Sequence, residues 1–270
     1  YLGGCAGNIA VGAARLGLRS AMFSCVGKDE MGKFLCETLQ QEQVDTTLVY
    51  ETDQHLTGLV LLGIDPPHHF PLMFYRKDCA DMQLTPAHVK KEVMAQAKAL
   101  LFTGTGLSTP NMQAATLAAI QAAREVETLI IMDLDYRPVL WNLTSAGNCE
   151  TCFIENTTVT KTYQTFLPYC DLIVGTEEEL CIESGAKTIT DAITILQSLT
   201  KSAIVVRAGA QGCQIYLPGN ATPQLSKPFP VEILNVLGAG DAFMAGLLRG
   251  LLRNENWDTA TTYANAGGAL

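Results

Sequence analysis

Apolar residues along the chain fall into two recurring patterns. Short continuous runs rich in Val, Ile and Leu occupy 21–26, 99–103, 128–133, 171–174, 203–207 and 214–217. Between them lie segments with apolar positions at helical spacing: 8–16, 31–42, 111–125, 177–183, 189–200, 242–252 and 259–266. Strands that are apolar throughout are buried on both faces, as in a parallel sheet covered by helices. Their alternation with amphipathic helices predicts an α/β fold with a doubly wound, mainly parallel sheet. No repeat, low-complexity tract or linker interrupts the rhythm, so the 270 residues predict a single domain.

One stretch departs from it. Between 44 and 76 the pattern is β without helices, and "LTGLVLLGI" and "FPLMFYR" are joined by the turn-prone "DPPHH". This predicts a hairpin, 57–64 against 70–76, projecting from the main sheet. Such an appendage can cover the strand ends, where open α/β sheets bind ligands.

Composition narrows the partners. A net charge of −9 argues against a nucleic-acid surface, which needs a basic patch. No apolar run approaches the roughly 20 residues of a membrane-spanning helix, and no signal peptide is visible. Nine cysteines, scattered and odd in number, read as the reduced thiols of a cytoplasmic protein. Cys149 and Cys152 have CxxC spacing but lack the second pair that a zinc site needs.

Several stretches could carry chemistry. In "NVLGAGDAFMAG", the small residues Gly238, Ala239 and Gly240 lead into Asp241 and a helix with a buried face (Phe243, Met244, Leu247, Leu248). A helix start stripped of side chains lets an anion approach the backbone N–H groups. An acid beside such a site is either a cap or a group that handles a proton. In "GGCAGNIAVGAARLG", Gly3 and Gly4 precede a helix with Asn8 in its first turn, where the amide could grip hydroxyls. "MDLDYRPVLW" puts Asp133, Asp135 and Arg137 at the carboxyl end of a strand, and "FYRKDCADM" sets Arg76 beside Tyr75. Two arginines reaching one pocket would clamp a carboxylate or phosphate, although surface ion pairs explain such charges equally well. "DLIVGTEEEL" places acids from Glu177 to Glu179 at a strand-to-helix junction, favourable to the helix dipole and a plausible neighbourhood for magnesium. "VVRAGAQGC" gives a strand ending at Arg207, a turn bearing Gly209 and Gly212, and another strand. There is no GxxxxGK[ST] loop, no strand–GxGxxG–helix and no GxSxG elbow.

Together, "GGCAGNIAVGAARLG" near the start and "NVLGAGDAF" near the end resemble the two signatures of the ribokinase (PfkB-type) carbohydrate kinase family. The β excursion resembles that family's lid, and the resemblance covers essentially the whole chain. "FYRKDCADM", "DLDYRPVLW", "VGTEEE" and "FPVEILNVLGAGDAFMAGLLRG" are similar to one branch, the 5-dehydro-2-deoxygluconokinases of myo-inositol breakdown. The 2-keto-3-deoxygluconate kinases share the paired arginine stretches more loosely. The resemblance implies a ribokinase-like kinase domain over 1–270 with a small β lid at about 44–76. It implies ATP and Mg2+ as cofactors and Asp241 as the base that deprotonates a sugar hydroxyl. The backbone of Gly238, Ala239 and Gly240 would form the anion hole. Gly3, Gly4, Asn8, Tyr75, Arg76 and Arg137 would face the substrate, and Arg207, Gly209, Gly212, Gly238 and Gly240 the nucleotide. Glu178 would serve magnesium through water. The chain departs from the family at Gly175, where an Asn is usual, and at Asn235, where many relatives carry an Asp tied to a monovalent cation. Relative to the family it is expected to lack a first strand and a final segment. The expected activity is phosphorylation of the 6-hydroxyl of 5-dehydro-2-deoxy-D-gluconate by a homodimer whose lids pair. The alternatives are a 2-keto-3-deoxygluconate kinase, a fructokinase or ribokinase type acting on a neutral sugar, and a sugar-binding regulator without turnover.

Overall fold

The computed structural model describes residues 1–63, 72–145, 153–232 and 236–270. The turn of the predicted hairpin, Cys149, Cys152 and Asn235 lie outside these. The chain opens with α1 (Cys5–Arg15), β1 (Ser20–Gly27), α2 (Glu30–Gln41) and β2 (Val44–Thr52). β1 and β2 pair in parallel as a sheet of their own, so the β-rich stretch divides: its first part belongs with β1, and only the rest forms the appendage. That appendage is the antiparallel pair β3 (Leu59–Leu62) and β4 (Leu72–Tyr75), shorter than the expected strands.

After α3 (Lys91–Met94) come β5 (Ala99–Thr103), α4 (Pro110–Arg124), β6 (Leu129–Asp133), α5 (Thr157–Phe166) and β7 (Leu172–Thr176). Then follow α6 (Glu177–Ser184), α7 (Ile189–Leu199), β8 (Ala203–Arg207), β9 (Cys213–Tyr216), β10 (Gln224–Ser226), α8 (Ala239–Leu252) and α9 (Trp257–Ala269). β5 to β10 form one sheet in sequential order, parallel from β5 to β8 and antiparallel from β8 to β10.

Alternation within the strands explains their continuous apolar character. Ile130 and Met132 of β6, Ile173 of β7, and Ile204 and Val206 of β8 face a core built with α4 to α7. Ile131, Leu172, Val174, Ala203 and Val205 face the opposite core, built with α1, α8 and α9. Both faces are therefore dry. α5, absent from the predicted helices, carries its apolar residues Val159, Tyr163 and Phe166 at helical spacing within a Thr-rich sequence; Asn156 starts it by accepting from the N–H groups of Thr158 and Val159, and those three buried side chains hold it.

The helices α1, α8 and α9 approach one another unusually closely. A Cβ on Gly12 would lie 2.7 Å from Ala245 Cβ, and one on Gly250 would lie 2.4 Å from Ala260 Cα. The absent side chains bring the N-termini of α1 and α8 together at the carboxyl edge of the large sheet. Thr103, Asp133, Thr176 and Arg207 end their strands at that same edge.

Candidate active site

Two glycine-led helix starts face each other at this edge. α8 begins at Gly238, whose φ of 84° is left-handed, and the space where a Cβ would stand is open. α1 begins at Gly4, with φ 83° and equally open space. From the first turn of α1, Asn8 Nδ2 donates to Asp241 Oδ2 at 2.7 Å. A carboxylate only accepts, so the amide nitrogen is the group that faces it. The Cys5 thiol of the same turn also interacts with Asp241. Burial raises the Asp241 pKa, and Asp135 adds to the rise, while the bond from Asn8, the Cys5 thiol and the charge of Arg207 oppose it; the net shift is upward. A carboxylate made more basic at an open helix start suits proton abstraction. Within the adjoining turn, the Ala239 N–H already donates to Val236 O over a long 3.3 Å.

Behind that turn lies a buried ionic cluster. Arg207 Nη2 donates to Asp133 Oδ1 and to Glu179 Oε2, each at 3.0 Å, and Nη1 donates to Asp133 Oδ2 at 3.2 Å. Asp133 is completely buried. Its pKa is pushed up to about 7 by that burial, against the pull of Arg207 and with further repulsion from Glu179, Asp135 and Asp241. Glu179 is locked from the other side by the N–H groups of Tyr136 (3.0 Å) and Thr176 (2.8 Å). The latter bond is half of a capping box with Thr176 at the start of α6. Glu178, the acid singled out from the sequence, stands exposed on the same turn. The inward-facing acid is Glu179, and the capping-box spacing Thr176-x-x-Glu179 was the signal for it.

Each arginine of the expected clamp already holds an acid from its own segment. Arg137 Nη2 is 2.7 Å from Asp135 Oδ1. Asp135 itself has a φ of 30°, a conformation that non-glycine residues rarely take and that concentrates at functional sites. Arg76 donates through Nε and Nη2 to Asp81 Oδ2, both at 2.6 Å. Gly58 lies over this pair, since a Cβ there would be 3.1 Å from Asp81 Oδ1 and 3.3 Å from Arg76 Cγ. Tyr75 is exposed at the end of β4, and Gly3 is exposed beside Gly4. Gly209 and Gly212 form the turn between β8 and β9; Gly209 borders open space, whereas Gly212 is pressed against Ser226 O.

Among the described residues no group of three or more His, Cys, Asp or Glu side chains could hold a metal by itself. The site is nevertheless rich in carboxylates, with Asp133, Asp135, Glu179 and Asp241 around Arg207 and Arg137. A polyphosphate could enter such surroundings only with its own cation, which fits a nucleotide carrying a divalent ion.

A family model described as pfkB family carbohydrate kinase matches residues 1–270. The chain belongs to the PfkB family of carbohydrate kinases. Curated relatives in the family include 5-dehydro-2-deoxygluconokinases from Shouchella clausii, at 30% identity, and Bacillus subtilis, at 27%; both alignments cover all of this chain and 80% of the relative. Among solved structures, fructokinase from Vibrio cholerae O395, bound to fructose, ADP and calcium, superposes with a TM-score of 0.85 at 28% identity, covering 99% of this chain and 84% of that one. A candidate ribokinase II from E. coli in complex with ATP and Mg2+ shares the fold, with a TM-score of 0.86 at 22% identity, over 99% of this chain and 81% of that one. The fold is thus ribokinase-like. No helix of the described residues is long and apolar enough to cross a membrane.

Proposed function

We propose that this carbohydrate kinase transfers the γ-phosphoryl group of ATP to the 6-hydroxyl of a six-carbon keto-acid, 5-dehydro-2-deoxy-D-gluconate. The observation that carries the reading is Asp241, held by Asn8 at a helix start where Gly238, Ala239 and Gly240 bear nothing larger than a methyl group. Asp241 takes the proton of the attacking hydroxyl, and Asn8 keeps the accepting oxygen in place while its other polar atom remains for a substrate hydroxyl. The backbone of Gly238, Ala239 and Gly240 faces the transferring group; contact at Ala239 requires its long bond to Val236 to open. Positioning and charge stabilisation of this kind are most of what phosphoryl transfer asks of a protein.

Gly3, Gly4 and Tyr75 border the sugar, and Arg76 and Arg137 receive its carboxylate through their guanidinium groups. The nucleotide lies along Arg207, Gly209, Gly212, Gly238 and Gly240. Magnesium carried by ATP supplies neutralisation of the phosphate charge. The exposed Glu178 is open to a water-mediated contact with that ion, whereas Glu179 is committed to Arg207 and the backbone. The names of the 5-dehydro-2-deoxygluconokinase relatives support the substrate, and the free state of every described cysteine is in keeping with a cytoplasmic enzyme.

The β3–β4 hairpin serves as the lid and as the contact with a second copy. A lone two-stranded hairpin is only marginally stable in water, and this one exposes Leu59, Val60, Leu61, Met73 and Tyr75.

A neutral sugar is the second reading. It is favoured by the neutralisation of Arg76 and Arg137 by Asp81 and Asp135, and by the fructose in the V. cholerae fructokinase structure. A coupled ADP-release assay on 5-dehydro-2-deoxygluconate, 2-keto-3-deoxygluconate, fructose and ribose separates the two. Highest kcat/KM on the first supports the proposal, and highest kcat/KM on a neutral sugar sinks it.

A further inference from the structure

The guanidinium of Arg207 is already committed, through three bonds, to Asp133 and Glu179. Its Nη1 also lies 3.0 Å from where a Cβ on Gly240 would stand, so the guanidinium is wedged against the first turn of α8. Its Nε is buried and has no hydrogen-bond partner among the described residues. An arginine free to choose would satisfy that donor, so the two carboxylates impose the position on it. They can do so because neither moves: Asp133 ends a buried strand, and Glu179 is pinned by the N–H groups of Tyr136 and Thr176.

We infer that Arg207 is a fixed positive charge behind the anion-hole turn, and that Asp133 and Glu179 are positioning residues that hold it there for phosphoryl transfer. The inference rests on the reading of Asp241 as the base. A charge that is in place before the reaction costs no reorganisation when negative charge develops on the phosphoryl oxygens. The same charge favours the ionised form of Asp241. A lysine could supply the charge but not the fork that grips two carboxylates.

The groups that face Asp241 are Cys5 and Asn8 from α1, Asp133 and Asp135 at and beyond the end of β6, and Arg207 from β8. Among them Arg207 is the cation, so its removal should move the acid limb of the kcat–pH profile to higher pH. The test compares Arg207→Met, Arg207→Lys, Asp133→Asn and Glu179→Gln, each with Tm and Mg·ATP affinity measured alongside. Profiles are taken on whichever sugar turns over fastest, and also on basal ATP hydrolysis, which needs no sugar. Arg207→Met should lower plateau kcat by about 100- to 1,000-fold, the scale for loss of one preorganised electrostatic contact, and raise the acid limb, a shift that weaker Mg·ATP binding alone would not produce at saturating nucleotide. Arg207→Lys should hold the limb and recover part of kcat. Asp133→Asn and Glu179→Gln should lower plateau kcat by about 10-fold or more at nearly unchanged KM. Should Arg207→Met fail to fold, Arg207→Gln is read in its place. An unmoved acid limb in the Met or Gln variant, or parental kcat in both carboxylate variants, overturns the inference. Parent protein inactive on every sugar acid would instead sink the proposed substrate and leave the hydrolysis profiles readable.

Discussion

Asn8 and Asp241, 233 residues apart in the chain, meet through a 2.7 Å hydrogen bond between the first turns of α1 and α8. The contact depends on close helix packing at Gly12 and Ala245, and it fixes which oxygen of Asp241 remains free. Asp241→Asn keeps the shape and an acceptor for Asn8 but removes the basic oxygen. It should leave Tm and nucleotide affinity near the parent values and cut kcat by about 100-fold or more. Near-normal turnover in this variant would remove Asp241 from the role of base.

The paired arginines separate sugar acids from neutral sugars. A hydrogen bond to a charged group contributes ~1.5–3 kcal/mol, so Arg76→Ala or Arg137→Ala should lower kcat/KM on 5-dehydro-2-deoxygluconate by about 10- to 150-fold. On fructose the loss should be several times smaller, because no carboxylate is there to lose. Equal proportional losses on both substrates would mean that the arginines serve the fold through Asp81 and Asp135.

The exposed hairpin should respond to ligand and to a second copy. Amide exchange at Leu59–Leu62 and Leu72–Tyr75 should slow with substrate bound, as closure excludes water. Leu59→Lys combined with Met73→Lys should convert a dimer to a monomer in sedimentation. Unchanged exchange at saturating substrate argues against a lid, and a parent protein that sediments as a monomer argues against the dimer.

Stability should fall as pH rises from about 4.5 to 8, and Glu183 is one residue through which it does. Glu183 on α6 is completely buried, and neither carboxyl oxygen has a partner among the described residues. Burial, with repulsion from Glu179 one turn earlier, pushes its pKa from 4.5 up to about 8. Tyr163 and Cys170 lie close enough for its charge to raise their pKa values too. In the unfolded chain Glu183 ionises near 4.5, so between there and about 8 the native state holds the extra proton. Stability therefore declines as pH rises across that window, by up to about 1.4 kcal/mol per pH unit. Glu183→Leu should raise Tm far more at pH 8 than at pH 5. An equal gain at both values would show that Glu183 does not titrate in that window.

The sequence by itself determined the order and kind of the main elements, because strands covered on both faces and amphipathic helices leave different periodicities. Predicted strands 99–103 and 203–207 coincide with β5 and β8, and the small-residue turn before Asp241 is the start of α8. Local chemistry made these legible. What only the tertiary structure decided is which side chains meet. Asp133 and Arg207 are 74 residues apart and converge because β6 and β8 end at the same edge of the sheet, one strand apart. Glu179 rather than Glu178 turns inward because the helical turn of α6 points it at Arg207, a choice among three adjacent acids that composition cannot make. The pairing of β2 with β1 likewise follows from how separate stretches of backbone are folded together. Hydrophobic pattern is a property of neighbours along the chain, whereas a charge cluster is a property of neighbours in space.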